Sequence, residues 1–310
     1  MQNSVKRQSY KSAQKTALII GAGYTARAFI PHLQARGYRV SATKRSHAID
    51  IKGVTEIPFA CGLSPQLKTA FEMAEVILSA VPPFKSTQKQ AVSTFADPAL
   101  AALSALSPKK TSWIGYLSAT SVYGDLGGAW ANEDSAVAPN LRRGKARADA
   151  EIAWLETGWP VHIFRLAGIY GPSLNNTQGR NPFDKIRSGQ ARAIIKDGHI
   201  VNRIHVEDIC SALLKSIDAP NPLRIYNLAD GNPAPPQDVL NYAADLIGAA
   251  RPKTVSLDSS DITAMARTFY AESKRIDASR AQKELGWSPK YPSYQAGLTS
   301  ILKRCESTKT

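Results

Sequence analysis

Residues 16–42 read TALIIGAGYTARAFIPHLQARGYRVSA: an apolar run, a glycine-rich step, an amphipathic stretch and a second apolar run. No other part of the chain limits the possible folds so strongly. Ala17–Ile20, without polar alternation, has the pattern of a strand buried on both faces. Gly21, Gly23 and Ala26 follow as G-x-G-x-x-A. In this pattern the first glycine makes a tight turn and the second lets the backbone approach a pyrophosphate. The small third residue lets a helix pack onto the strand. Phe29, Ile30 and Leu33 then fall on one helical face, and Gly37 supplies a C-terminal stop before a second strand at Tyr38–Ala42. Pro31 lies inside the helical stretch and predicts a kink or a short 3₁₀ segment. The first free amides of this helix, around Tyr24, Thr25 and Ala26, favour an anion. The pattern predicts a dinucleotide-binding unit.

The end of the second strand selects among dinucleotides. An acid about 20 residues after the motif would bind a ribose 2′-hydroxyl. Here that place reads Thr43-Lys44-Arg45, and no acid occurs before Asp50. Lys and Arg pair with a 2′-phosphate that an acid would repel. The expected cofactor is NADP, with NAD as the alternative. Strand-like runs continue at Val54–Ala60, Val76–Ala80 and Trp113–Leu117. Helical stretches alternate with them: Ser64-Pro65 opens one through Met73, and others are expected over 87–96 and Pro98–Leu106. Ala80, Val81 and Pro82 end a strand where the cofactor edge is expected. The fold class is α/β, a Rossmann-type doubly wound parallel sheet with a smaller C-terminal α/β substrate lobe. The expected division is a disordered basic tail over 1–15, an NADP-binding domain over 16–172, and a substrate lobe over 173–310 with segments returning to the sheet.

Composition excludes several alternatives. At 310 residues the chain exceeds the size at which one core usually stops growing, and its 43% hydrophobic content can build such a core. No apolar run approaches the ~20 residues that cross a bilayer. The three cysteines, Cys61, Cys210 and Cys305, form no CxxC pair, which fits a reducing, cytoplasmic compartment. A net charge of +14 would suit nucleic acid, yet no helix-turn-helix, zinc finger or aromatic RNA motif accompanies it. Attraction of a phosphorylated small ligand accounts for the same surplus. The five histidines show no i, i+4 pair, so no metal site is expected.

Further blocks follow in order: SATSVYGD (118–125), RLAGIYGP (165–172), IHVEDI (204–209), IYNLADG (225–231) and RIDASRAQKELGWSP (275–289). Together with the glycine turn they resemble the extended short-chain dehydrogenase/reductase superfamily, the NAD-dependent epimerase/dehydratase group acting largely on nucleotide sugars. Within it the chain looks like the atypical branch. The resemblance implies a Tyr and a Lys four residues apart, with a Ser or Thr, moving a proton while hydride passes to or from the nicotinamide. Carried onto this chain, Lys145 occupies the lysine position and would also touch the cofactor. Leu141 stands in the tyrosine position and Ala119 in that of the Ser or Thr. Ser118, Thr120, Ser121, Tyr123 and Asp125 are the nearby substitutes, although the resemblance implies that the ring at Tyr123 is usually structural and Asp125 reads as a turn contact. A second string, Tyr270 to Lys274, reads as coincidence.

In the second lobe Val201–Val206 reads as a strand with Val201, Arg203 and His205 on one face. The resembling family often carries a phosphate-binding Arg at the place of Val201, so Arg203 is the substrate candidate. The alternative is a surface salt bridge with an acid such as Glu207. Arg180 is a second diphosphate candidate. His205 reads as a buried turn residue, and Asp208 as a helix anchor. The leading function is an NAD(P)-dependent oxidoreductase or epimerase with a non-standard active site, taking a small-molecule substrate of nucleotide-sugar-like or small carbonyl/hydroxyl type. The competing reading is an NADP(H)-binding sensor or interaction protein without hydride chemistry. Family analogy adds a homodimer.

Overall fold

The computed structural model describes residues 14–45, 47–59, 62–83, 97–174, 178–259 and 262–307. In chain order the first half comprises β1 (Thr16–Ile20), α1 (Tyr24–Ala35), β2 (Arg39–Lys44), β3 (Thr55–Pro58), α2 (Pro65–Met73), β4 (Val76–Ser79), α3 (Pro98–Leu103) and β5 (Trp113–Ala119). A 3₁₀ turn (Thr120–Tyr123), β6 (Trp130–Ala131), α4 (Arg142–Leu155), β7 (Val161–Leu166) and β8 (Gly168–Tyr170) follow. The rest runs α5 (Phe183–Arg187), β9 (Arg192–Ile195), β10 (Arg203–His205), α6 (Val206–Asp218), β11 (Ile225–Leu228), α7 (Pro236–Leu246) and β12 (Lys253–Ser256). It closes with α8 (Ala264–Phe269), β13 (Arg275–Ile276), α9 (Ser279–Leu285) and α10 (Tyr294–Ser307).

Seven parallel strands form the main sheet in the order β11-β7-β5-β4-β1-β2-β3. This is the doubly wound α/β arrangement expected from the sequence. Alternate residues of one strand serve opposite cores, as a sheet covered on both faces requires. Ala17 and Ile19 pack with Phe29 and Leu33 of α1 and with Ile209 and Leu213 of α6. Leu18 and Ile20 pack with Phe71 of α2, Leu100 of α3 and Trp154 of α4. A smaller core gathers Tyr170, Phe183, Ile186, Val239, Tyr294 and Leu298 in the C-terminal part.

Local signals settled several boundaries. Ser64 Oγ accepts the Leu67 amide at 3.1 Å and caps α2 one residue before Pro65. Asp97, buried, caps α3 by accepting the Ala99 and Leu100 amides. Gly37, at φ +81°, follows the end of α1. Two local expectations need correction. Helix α1 runs from Tyr24 to Ala35 through Pro31 with no 3₁₀ segment, and the proline ring lies on the exposed side. The strand expected over Val201–Val206 shrinks to Arg203–His205. Val201 makes only a single antiparallel bridge to Ala234, and His205 turns the chain into α6 by accepting the Glu207 amide on its side chain. The helix expected over 87–96 lies outside the described residues.

Candidate cofactor and substrate site

The step from β1 to α1 lies at the carboxyl edge of the parallel sheet, and its two glycines have different jobs. Gly21 sits at φ +90°, where L side chains are strained. A Cβ there would lie 2.6 Å from Val81 Cγ2 and 3.1 Å from the Val81 nitrogen, so the residue after β4 closes against this turn. Gly23 has extended backbone (φ −78°, ψ −170°), and a Cβ there would meet nothing within 4 Å. Gly23 is also the N-cap of α1 and brings no side chain to satisfy the helix's first amides. Thr25 and Ala26 are buried, which keeps α1 close on the sheet. The open side and uncapped helix end fit a dinucleotide pyrophosphate.

Tyr24 is buried, its hydroxyl donates to the Pro172 carbonyl at 2.8 Å, and burial pushes its phenol pKa up. The exposed Arg180 guanidinium stands 5.2 Å from the Tyr24 ring centroid. Arg180, expected beside a substrate diphosphate, is therefore brought to the glycine turn. Ala80, half-buried, donates its amide to the Ile20 carbonyl at 2.8 Å, and Pro82 is exposed just beyond Val81.

At the end of β2 the three expected cofactor residues diverge. Thr43 is buried and its Oγ1 accepts the Gly21 amide at 2.8 Å, so it braces the turn from beneath. Lys44 is ion-paired with Glu56 of β3. The other Glu56 oxygen accepts the Ile49 amide at 2.7 Å, and the Lys44 hydrogen bond, with that of Ile49 next, holds this carboxyl below its usual range. Arg45 is exposed. Arg27 donates to the carbonyls of Ala22, Ala48 and Ile49 and braces the loop that follows. The acid absent from β2 is thus supplied by its neighbour, through a register that the linear sequence does not display.

At the next edge position Ala119 ends β5 and Thr120 opens the 3₁₀ turn, half-buried. Leu141 is the N-cap of α4, and Lys145, one turn in, is exposed. Gly144 lets α4 dock on this turn, since a Cβ there would be 2.5 Å from the Ser121 carbonyl oxygen. Tyr123 is fully buried. Its hydroxyl donates to Asn227 Oδ1 at 2.7 Å and accepts from Arg165 Nη1 at 2.9 Å. Arg165 in turn pairs with Glu151, which also accepts from Ser118. The Tyr123 hydroxyl is committed on both sides inside the core, which corrects its reading as a proton donor. Sequence inspection missed the Glu151–Arg165 pair, although a charge inside the apolar run VHIFRL signals a buried partner.

In the C-terminal part Arg203 lines a cavity with His199, Val201, Pro236, Phe269 and Tyr270. The alternative salt bridge to Glu207 is not formed, because Glu207 faces His32 at 3.2 Å and Arg304 at 3.6 Å. His205 is buried, and burial depresses its pKa to about 4. Asp208 accepts the Lys290 and Tyr291 amides, anchoring the segment before α10, and burial raises its carboxyl to about 6. Lys274 reaches the Gly124 carbonyl and Glu272, while Tyr270 faces the cavity. Arg143, on α4, donates to the Thr268 carbonyl and lies 4.8 Å over the Phe269 ring.

No family model matches the sequence. Protein YeeZ of Escherichia coli (strain K12) is 30% identical over 299 residues, covering 90% of this chain and 97% of that protein. A functionally unknown conserved protein from Silicibacter pomeroyi shares 40% identity, with a TM-score of 0.81 over 94% of this chain and 99% of that one. A dTDP-glucose 4,6-dehydratase from Bacillus anthracis, in complex with NAD, superposes with a TM-score of 0.71 at 18% identity, over 95% and 97% of the two chains. The chain belongs to the protein family of E. coli YeeZ, built on the extended short-chain dehydrogenase/reductase fold of the NAD-dependent epimerases and dehydratases.

Proposed function

We propose that this chain is an NAD(P)-dependent oxidoreductase or epimerase of the extended short-chain type with a non-standard active site. Its substrate is a nucleotide-sugar-like or small carbonyl/hydroxyl compound. The open glycine turn carries this reading: Gly23 leaves the end of α1 uncapped and free of side-chain atoms, and Arg180 adds a cation beside it. A bound nicotinamide would supply hydride exchange. The backbone of Gly21–Ala26 would hold the pyrophosphate, Lys44 and Arg45 a 2′-phosphate, and Lys145 the nicotinamide ribose. Thr120 is the hydroxyl that would hold the substrate oxygen where Ala119 cannot. A homodimer in the cytoplasm, and a lobe boundary near residue 172, complete the proposal.

Replacing Lys44 and Arg45 together with Ala should weaken NADP⁺ binding at least about tenfold, the loss of one charged hydrogen bond of ~1.5–3 kcal/mol, and leave NAD⁺ binding unchanged. Titration of both dinucleotides checks this. Tighter NAD⁺ than NADP⁺ binding, indifferent to the double substitution, would overturn the 2′-phosphate assignment.

A second reading, a cofactor-binding sensor without hydride chemistry, is favoured by the apolar Leu141 and Ala119 at the two places where a phenol and a hydroxyl would act. A positioned acid–base group is worth ~10²–10⁴-fold. The NADPH absorbance is followed against nucleotide sugars and small carbonyl compounds. Turnover by the unmodified chain supports the enzyme. Turnover arising only in the Leu141→Tyr, Ala119→Ser variant, with a gain of about 10²-fold or more, supports the sensor.

A further inference from the structure

Glu56, on the edge strand β3, reaches the end of β2 across the parallel register. Ala42 pairs with Glu56, and Lys44, two residues on, lies on the same face of the sheet. The two oxygens of the Glu56 carboxylate have separate partners. Oε2 is ion-paired with Lys44, the two side chains being 27% and 29% exposed. Oε1 accepts the Ile49 amide at 2.7 Å and, more distantly, the Asp50 amide at 3.4 Å. Arg27 hangs the same loop on the glycine turn, donating to the carbonyls of Ala48 at 2.9 Å and Ala22 at 3.0 Å. A carboxylate is thus fixed where the linear sequence shows only cations. Its hydrogen bonds from Lys44 and Ile49 hold it below its usual range, so it is ionised at neutral pH. Arg45, the next residue along, is exposed and has no ion-pair partner among the described residues. The two cations are therefore unequal: Arg45 is open to an anion, and Lys44 is already taken.

We infer that Glu56 sets the balance between NADP and NAD in this chain, as a built-in counter-ion that competes with a 2′-phosphate for Lys44. Glu56 has this role only if the cofactor reading above holds. Beside a neutral 2′-hydroxyl, Lys44 stays on Glu56 and nothing is lost. To meet a 2′-phosphate, Lys44 must leave or share its carboxylate. A phosphate monoester, at about −1.5 to −2 charges near neutral pH, then comes to rest beside a fixed negative group. Lysine suits such an exchange, because its ammonium is a compact charge with three rotatable donors on a flexible stem. A guanidinium held by both oxygens of a carboxylate would be released less readily. Discrimination between two ligands arises as much from an element that opposes one of them as from contacts that favour the other. With both cations free this edge would select NADP strongly; with Glu56 on Lys44 it selects NADP weakly.

The test is calorimetric titration of the full chain with NADP⁺ and NAD⁺, for the unmodified protein, Glu56→Gln and Asp245→Asn. Glutamine keeps an oxygen for the Ile49 amide and removes the charge. The unmodified chain should prefer NADP⁺ by no more than about tenfold, the worth of one charged hydrogen bond. Glu56→Gln should tighten NADP⁺ binding at least about tenfold and move NAD⁺ binding by less than about threefold. Asp245→Asn changes the net charge equally by freeing Arg251 in the C-terminal part, and should leave both affinities unchanged. Unchanged NADP⁺ affinity in a folded Glu56→Gln, equal tightening of both dinucleotides, or the same tightening in Asp245→Asn would overturn the proposal. If Glu56→Gln does not fold, the unmodified chain decides: a preference for NADP⁺ of about tenfold or less supports the role of Glu56, and a larger one overturns it. An unmodified chain that binds neither dinucleotide overturns the cofactor reading and the role of Glu56 together. NADP⁺ binding that ignores Glu56→Gln overturns the role of Glu56 alone.

Discussion

Glu151→Ala should destabilise the fold by about 3–5 kcal/mol, the range for breaking a buried ion pair from one side. Glu151 and Arg165 each have side chains under 5% exposed, and the carboxylate accepts from Arg165 Nε at 3.1 Å and Nη2 at 2.7 Å. Alanine would leave the guanidinium without its counter-charge between β5, β7 and α4, where the Tyr123 and Ser118 hydroxyls are its polar neighbours. Against a typical total of ~5–15 kcal/mol, that loss is a large part of the protein's stability. Denaturant unfolding measures it. The double variant Glu151→Leu, Arg165→Met removes both charges and should recover most of the deficit, because the pair's attraction and its desolvation cost disappear together. A single-variant loss below about 1 kcal/mol would mean that the charge finds water or another partner, and the account of a sealed network under the 3₁₀ turn would be wrong.

That network also marks where linear reading stops. The glycine turn, the Ser64 cap and the Gly37 stop were legible because each depends on a few adjacent residues and on backbone geometry. The partner of Tyr123 was not, since Asn227 is 104 residues away and the β7–β11 pairing brings that strand alongside. The ion pair of Lys44 is hidden for a similar reason: the stretch after β2 holds no acid before Asp50, but parallel pairing sets Ala42 opposite Glu56 and carries a carboxylate to the same edge. The neighbour of Arg180 is equally hidden: the Gly171–Arg180 bridge returns its loop to Tyr24, 156 residues earlier in the chain. Strand alternation puts Val201 and Arg203 on one face, and both line the same cavity although the strand is half the expected length. His199 was overlooked altogether. A single histidine in a polar loop gives no sign that it is buried against Tyr270.

The two glycines of the turn should respond to substitution in opposite ways, which separates what serves the chain from what serves a ligand. Gly23→Val places its side chain in open space on backbone that any residue adopts, so folding stability should change by less than about 1 kcal/mol, with a small gain from a stiffer unfolded chain. NADPH affinity should nevertheless fall by about 100-fold or more, equivalent to ~2.7 kcal/mol, because the added methyls occupy the approach to the helix's uncapped amides. Gly21→Val should behave conversely. At φ +90°, against Val81 Cγ2 and the Val81 backbone nitrogen, it incurs ~1–2 kcal/mol of backbone strain plus the displacement of Val81, and its melting temperature should fall before any ligand is added. Thermal melts and NADPH titrations on both variants provide the comparison. A Gly23→Val protein that binds NADPH as tightly as the unmodified chain would place the pyrophosphate elsewhere. The role of Gly21–Ala26 toward the pyrophosphate would then fall, and with it that of Arg180, which is argued from its place beside Tyr24 at this helix end.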